Sequence, residues 1–159
     1  KNIQSVTLNN VAVSDQNKII TMYVNKNSSG TGTIIQKATQ LKQFGGKSEI
    51  IEIPSITLND YLKNHSKPTV VKLDVEGAES LVIKGGYDFF KDNSPIITME
   101  VWSKDNGGEI SMEAVSILEK LGYHPYFINN NGDLEHTPFI LEENFKNEIK
   151  IENYVFIKK

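Results

Sequence analysis

Val70-Val71-Lys72-Leu73-Asp74-Val75-Glu76-Gly77-Ala78-Glu79-Ser80-Leu81-Val82-Ile83-Lys84-Gly85-Gly86 is the stretch whose reading decides the fold. Its opening residues are a short β-branched run behind Pro68. They predict a buried parallel strand, because strands covered on both faces read as nearly continuous apolar residues. At Asp74 the pattern changes. Ala78, Leu81 and Val82 recur at helical spacing, and Glu76 and Glu79 fall near the helix start, where the macrodipole favours negative charge. Gly85 and Gly86 are expected to close the helix, since glycine accepts the left-handed backbone that ends helices. Strand, acidic turn and helix make half of a βαβ unit, and in open α/β sheets ligands bind outside the carboxyl ends of the strands. This places Asp74 and Glu76 at the ligand edge.

Working outward toward the N-terminus, residues 3–14 carry Val6, Leu8, Val11 and Val13 in a strand-like stretch broken by Asn9-Asn10. Asp15-Gln16-Asn17-Lys18 reads as a turn, and residues 19–24 resume as a strand; a hairpin and two separate sheet strands both fit. Ser28-Ser29-Gly30-Thr31-Gly32-Thr33 reads as a plain loop. A dinucleotide fingerprint requires a further Gly where Ile35 stands, and a P-loop requires Gly-Lys-Ser/Thr at its end. Residues 36–47 have no firm period and end in Gly45-Gly46, a loop or weak helix. Residues 49–53 alternate as a strand. Thr57 with Asp60 three residues on forms a capping-box-like start for a helix over 58–64, with Leu58, Tyr61 and Leu62 as its buried face.

On the other side, residues 96–102 form a second apolar strand and 104–108 a polar loop. Ser111 is expected to cap the next helix, whose Ala114, Ile117, Leu118 and Leu121 fall at i, i+3, i+4 and i+7, with Gly122 as its stop. Residues 123–128 and 133–137 flank Asn130-Asn131-Gly132, a hairpin signal because turn residues there must tolerate positive φ. A final strand over 154–157 follows the charged stretch 142–152. The alternation of strands and helices predicts an α/β fold, a single domain over residues 1–159.

Composition narrows the function. The 159 residues include no Cys, which removes disulfides, thiolate catalysis and cysteine-ligated metals. The formal net charge is −3, and no Arg stands beside the lysines. There is thus no electrostatic footprint for nucleic acid, and the preferred bidentate phosphate ligand is missing. No apolar run approaches the roughly 18 residues of a membrane span and no N-terminal signal is visible, so the expectation is a cytoplasmic protein without membrane contact.

The run Lys72-Leu73-Asp74-Val75-Glu76-Gly77-Ala78-Glu79, followed by Lys84-Gly85-Gly86, resembles the signature of FkbM-type methyltransferases. Asn10-Val11-Ala12-Val13-Ser14-Asp15, Ile53-Pro54-Ser55-Ile56-Thr57-Leu58-Asn59-Asp60-Tyr61-Leu62 and Pro95-Ile96-Ile97-Thr98-Met99-Glu100 resemble the family's flanking segments. The resemblance implies a Rossmann-like class I fold, a mixed sheet whose terminal strand runs antiparallel, and S-adenosylmethionine as methyl donor. It further implies O-methylation of a small-molecule or sugar hydroxyl. In that family a Gly-rich turn after the first strand and an acid after the second hold the cofactor. Neither lies ahead of Lys1, so the expectation is a fold incomplete at the N-terminus, a fragment lacking the first βαβ unit and inactive alone. The strand at 70–75 would then have an open apolar edge, covered by the N-terminal hairpin or by another copy in a homo-oligomer.

Within this frame the candidate catalytic residues are Asp74, Glu76 and Glu100, since a carboxylate can take a hydroxyl proton or orient an acceptor. The plainer alternative is that Glu76 and Glu79 complement the helix N-terminus and Glu100 pairs with Lys72. By resemblance Ala12, Val13 and Ser14 flank the adenine, and Asp74 contributes to the same cofactor site. Trp102 and Tyr123, with Tyr126, would line an acceptor pocket or else pack in the core. His124 and His136 share no motif with an acid or Ser, and a surface role suits them better than a general base. Three acids at two strand ends also suit Mg²⁺ or Ca²⁺, but the spacing matches no dedicated loop, so no metal is assigned. The competing class is a non-catalytic Rossmann-like domain for association or small-ligand binding.

Overall fold

The computed structural model of the chain describes residues 6–26, 31–41, 48–102, 108–138 and 152–159. Its strands form two mixed sheets. The N-terminal sheet has the order β1-β4-β2-β3, built from β1 (Ala12–Val13), β2 (Ile19–Asn25), β3 (Gly32–Thr33) and β4 (Ser48–Ile56). β4 is its axis: β1 runs parallel to one side and β2 antiparallel to the other, so the open choice between hairpin and separate strands resolves to separate strands. Met22 lies opposite Ile51 and Ile20 opposite Ile53, which puts these four on one face, since paired residues share a face and alternate along the strand. A 3₁₀ turn (Gln36–Gln40) follows β3. The start of the Ser28–Thr33 loop and residues 42–47 lie outside the described residues.

The second sheet has the order β5-β6-β9-β7-β8, with β5 (Val70–Leu73), β6 (Ile96–Val101), β7 (Tyr123–Ile128), β8 (Leu134–His136) and β9 (Glu152–Lys158). β5 and β6 are parallel, and the terminal strand β9 is antiparallel to both β6 and β7 and enters between them. Ile97, Met99 and Val101 are fully buried on one face of β6, while Ile96 is 41% exposed on the other. The buried face packs against α2 (Glu79–Gly85), α3 (Tyr87–Asn93) and α4 (Gly108–Lys120) through Val82, Ile83, Phe90, Val115 and Leu118. Tyr123 completes this core, its hydroxyl donating to the Phe90 carbonyl at 2.8 Å.

Several local expectations need correction. β5 is parallel and, among the described residues, has one open edge, both as read; it is not covered on both faces, since Val70 is 59% exposed and Leu73 is its one buried residue. Among the described residues the N-terminal strands form their own sheet around β4, and none of them pairs with β5. Gly85 and Gly86 do not end a helix in the left-handed region; Gly86 has φ −112° and the chain passes directly into α3. Ser111 sits inside α4, one turn after its start, and its Oγ accepts the Trp102 N–H at 3.1 Å. The helix α1 (Leu58–Tyr61) is shorter than predicted, although Thr57 caps it as read by accepting the Asp60 N–H at 3.2 Å. Gly122, at φ 88°, does end α4. The hairpin of β7 and β8 forms, but Gly132 alone takes positive φ, and Asn129 Oδ1 holds the turn by accepting from the Asn131 and Asp133 N–H groups.

Candidate active site

The chain leaves the second sheet at Asp74, one residue past the end of β5, and residues 74–78 turn into α2. Glu76 has φ 52° and Gly77 φ 95°. For a residue with a Cβ the left-handed region costs roughly 1–2 kcal/mol, so neighbouring groups must hold Glu76 there. From α2, the buried Glu79 carboxylate accepts the N–H groups of Val75 and Gly77 through Oε1, both at 3.3 Å. From the N-terminal sheet, Thr33 Oγ1 donates to the Glu76 carbonyl at 2.7 Å and accepts the Ile35 N–H at 3.0 Å. Behind the turn, a Cβ on Gly77 would lie 3.1 Å from Ile110 Cγ2 and 3.2 Å from the Trp102 ring.

The acids do gather here. Asp74 pairs with Lys72 at 2.6 Å, and that bond, with the charge of Asp74 and more weakly of Glu100, raises the lysine above its usual range. Lys72 therefore pairs with Asp74, not with Glu100 as the plainer alternative expected. Glu100 instead accepts the Trp102 indole N–H at 2.9 Å. Burial pushes the Glu76 carboxyl up, and the charges of Asp74, Glu100 and Glu79 push it the same way. Burial also pushes Glu79 up, opposed by the backbone amides it accepts from.

A cavity of about 470 Å³ opens between the acidic turn and the N-terminal sheet, inside the roughly 300–1,000 Å³ range of small-molecule sites. Asp74, Val75 and Ala78 form one wall. Met22, Gly32, Ile34, Ile51 and Ile53 form the other, and residues 9–13 close one side, bringing in the amides of Asn9 and Asn10. Asp74, Ala12 and Val13 therefore share a single cavity, although some 60 residues separate them in sequence.

Other candidates stand elsewhere. Ser14 is buried, its backbone packed against Gly85, and is absent from the cavity wall. Glu76 and Glu100 surround Asp74 electrostatically without lining the cavity. Trp102 is 3% exposed and packs with Ala38, Ile35, Leu41 and Ile110, which leaves no ring face for an acceptor. Tyr123 is fully buried beneath α3, and burial pushes its hydroxyl up to about 12. Both aromatics are therefore core residues where the sequence allowed a pocket. His124 and His136, with ring centroids 5.9 Å apart, lie on β7 and β8, three and four strand spacings from β5, or roughly 14 and 19 Å. Among the described residues no group of three or more His, Asp or Glu side chains is placed to hold a metal ion. Nor is any described helix long and apolar enough to cross a membrane.

Sequence reasoning missed Thr33 and the wall residues Met22, Ile51 and Ile53. Residues 19–24 and 49–53 were legible as strands; nothing in either stretch showed that they would meet Asp74.

Comparison with known proteins adds an independent finding. Residues 1–146 match the family model described as the methyltransferase FkbM domain. Among solved structures, the methyltransferase FkbM from Methylobacillus flagellatus KT is similar at 18% identity with a TM-score of 0.39, over 67% of this chain and 23% of that one. No curated protein matches the chain. The family match includes β1, the acidic turn after β5, the end of β6 and the whole of the cavity between the sheets, and on that match the chain belongs to the FkbM methyltransferase domain family.

Proposed function

We propose that the chain is part of an S-adenosylmethionine-dependent methyltransferase of the Rossmann-like class I fold. Its reaction is O-methylation of a small-molecule or sugar hydroxyl, with Asp74 receiving or orienting the hydroxyl proton. The observation that carries this reading is the cavity that Asp74 shares with Ala12 and Val13 at the carboxyl end of β5. Its lining suits such a donor. Val11, Ala12, Val13 and Ile34 offer apolar surface for a purine, Asn9 and Asn10 offer amides, and the Asp74 carboxylate favours a cationic group. When bound, S-adenosylmethionine supplies an electrophilic methyl carbon on a positively charged sulfur.

The chain's own groups then have distinct tasks. Lys72 restrains Asp74 by holding its Oδ2, so that the carboxylate keeps one orientation toward an acceptor. Glu76, which burial and neighbouring acids push up, takes a proton more readily than an ordinary carboxylate and is the second proton-holding group. Glu100, fixed by the Trp102 indole, adds negative field at the same turn.

Asp74→Asn in the intact protein tests the reading. Methyl transfer to hydroxyl acceptors should fall by about 10²–10⁴-fold while the circular dichroism spectrum stays unchanged. Full turnover in that variant would remove Asp74 from the chemistry. A titration with S-adenosylmethionine followed by NMR should shift Ala12, Val13 and Asp74 together; shifts confined to other residues would place the donor elsewhere.

A second reading, a non-catalytic association domain, draws on a different observation. Among the described residues β5 pairs with β6 alone, and Val70 and Ile96 are 59% and 41% exposed beside it. An open strand edge is a template for pairing with another copy. Sedimentation that depends on concentration, together with no affinity for S-adenosylmethionine in the intact protein, would favour this reading over the first.

A further inference from the structure

We infer that Thr33 is a positioning residue: its hydroxyl ties the acidic turn to the N-terminal sheet and so sets the width of the cavity that receives the methyl donor. The inference deepens the methyltransferase reading and rests on it for its binding arm.

One peptide unit carries both bonds. The Glu76 carbonyl and the Gly77 N–H belong to the same planar group, and they point to opposite sides of it. Thr33 Oγ1 holds the carbonyl at 2.7 Å, and Glu79 Oε1 holds the N–H at 3.3 Å. A plane held at both poles cannot rotate without breaking one bond. This is the peptide that joins the two left-handed residues, with φ 52° and 95°, so its orientation fixes how the turn leaves Asp74 and Val75.

Thr33 is suited to the task by its surroundings. It is 1% exposed, and its oxygen already accepts the Ile35 N–H, which leaves its proton directed to Glu76. Its sequence neighbours Gly32 and Ile34 line one wall of the cavity, while Val75, next to Glu76, lines the other. The bond therefore joins the two walls at a point where both border the cavity. Neither the acidic motif nor the Gly30–Thr33 loop singles this threonine out from sequence.

The test compares Thr33→Val, which keeps the shape and removes the hydroxyl, with Thr33→Ser, which keeps the hydroxyl, in the intact protein. Two readouts are taken: amide hydrogen exchange at Val75 and Gly77, and the affinity for S-adenosylmethionine by calorimetry. Thr33→Val should speed exchange and weaken affinity by about three- to tenfold each, the ratio one hydrogen bond of ordinary net strength supplies. Thr33→Ser should restore both. If Thr33→Val does not fold, Thr33→Ala, whose smaller side chain cannot clash, takes its place. Unchanged exchange in the hydroxyl-less variant, or a serine variant as impaired as the valine one, overturns the inference. Faster exchange with unaltered affinity overturns it too, leaving Thr33 a stabiliser of the turn alone. If the wild-type protein binds no S-adenosylmethionine, the methyltransferase reading falls and takes the positioning role with it, whereas the exchange data still report the clamp.

Discussion

A Cβ on Gly85 would lie 2.0 Å from the Ser14 carbonyl oxygen and 3.2 Å from the Asp15 Cα, both backbone atoms that cannot swing aside. Gly132 is the opposite case: nothing lies within 4 Å of its Cβ position, but its φ is 86°. Gly85→Ala should therefore cost about 3 kcal/mol or more in urea unfolding, as overpacking against fixed atoms does. Gly132→Ala should cost about 1–2 kcal/mol from left-handed strain alone. Equal costs would mean that the strand end at Ser14 and α2 are less closely apposed than 2.0 Å implies. Glu79 offers a second test at this scale. Burial raises its folded-state pKa above the ordinary 4.5, so the folded protein binds that proton more tightly than the unfolded chain. Stability is therefore greatest below 4.5 and declines as pH rises through the raised folded value. Glu79→Gln has no proton to lose. Its stability relative to wild type should grow with pH across the acid range and then level off, and a difference independent of pH would refute the burial effect. The sequence showed an acid near a helix start at this position; that it would be buried and would hold the turn's amides depends on packing, which no local pattern reports.

At the scale of elements, what could be read depended on whether the signal was periodic. α4 was legible because Ala114, Ile117, Leu118 and Leu121 repeat one helical face. α3 was not, because its buried residues Phe89 and Phe90 are adjacent and the preceding Gly85-Gly86 looked like a terminator. Ser111 was misplaced for a related reason: a serine before an apolar run is the same sign whether it caps a helix or sits inside one. Its actual role makes a prediction. Ser111→Ala removes the buried acceptor of the Trp102 N–H and should cost roughly 1–3 kcal/mol, measured by thermal or urea unfolding, where a solvent-facing cap would be partly replaced by water. A change within ±0.5 kcal/mol would show that Trp102 is held without its backbone N–H bond to Ser111.

For the molecule as a whole, the α/β class and the antiparallel final strand followed from element order and from resemblance, while the division into two sheets did not. β1 has two residues and its partner in β4 lies about 43 positions on, a parallel pairing that carries no sequence signature. The edge position of β5 was expected only through the resemblance, since Val70-Val71 by itself reads identically with one neighbouring strand or two. That edge is testable at low cost. Val70→Lys places a charge on an exposed edge position and should lower any concentration-dependent association without loss of stability beyond about 0.5 kcal/mol. Unaltered sedimentation would show that copies do not meet there.

The placement of β9 has one more consequence, for the order in which the molecule assembles. β6 and β7 never touch as neighbours; each hydrogen-bonds to β9, which is synthesised after both. On a ribosome, β5 with β6 and β7 with β8 must wait as two unjoined pairs until residues 152–158 emerge and slot between them. A nascent chain halted before that point leaves the facing edges of β6 and β7 both unpaired, so this protein should lean on chaperones until residues 152–158 have emerged.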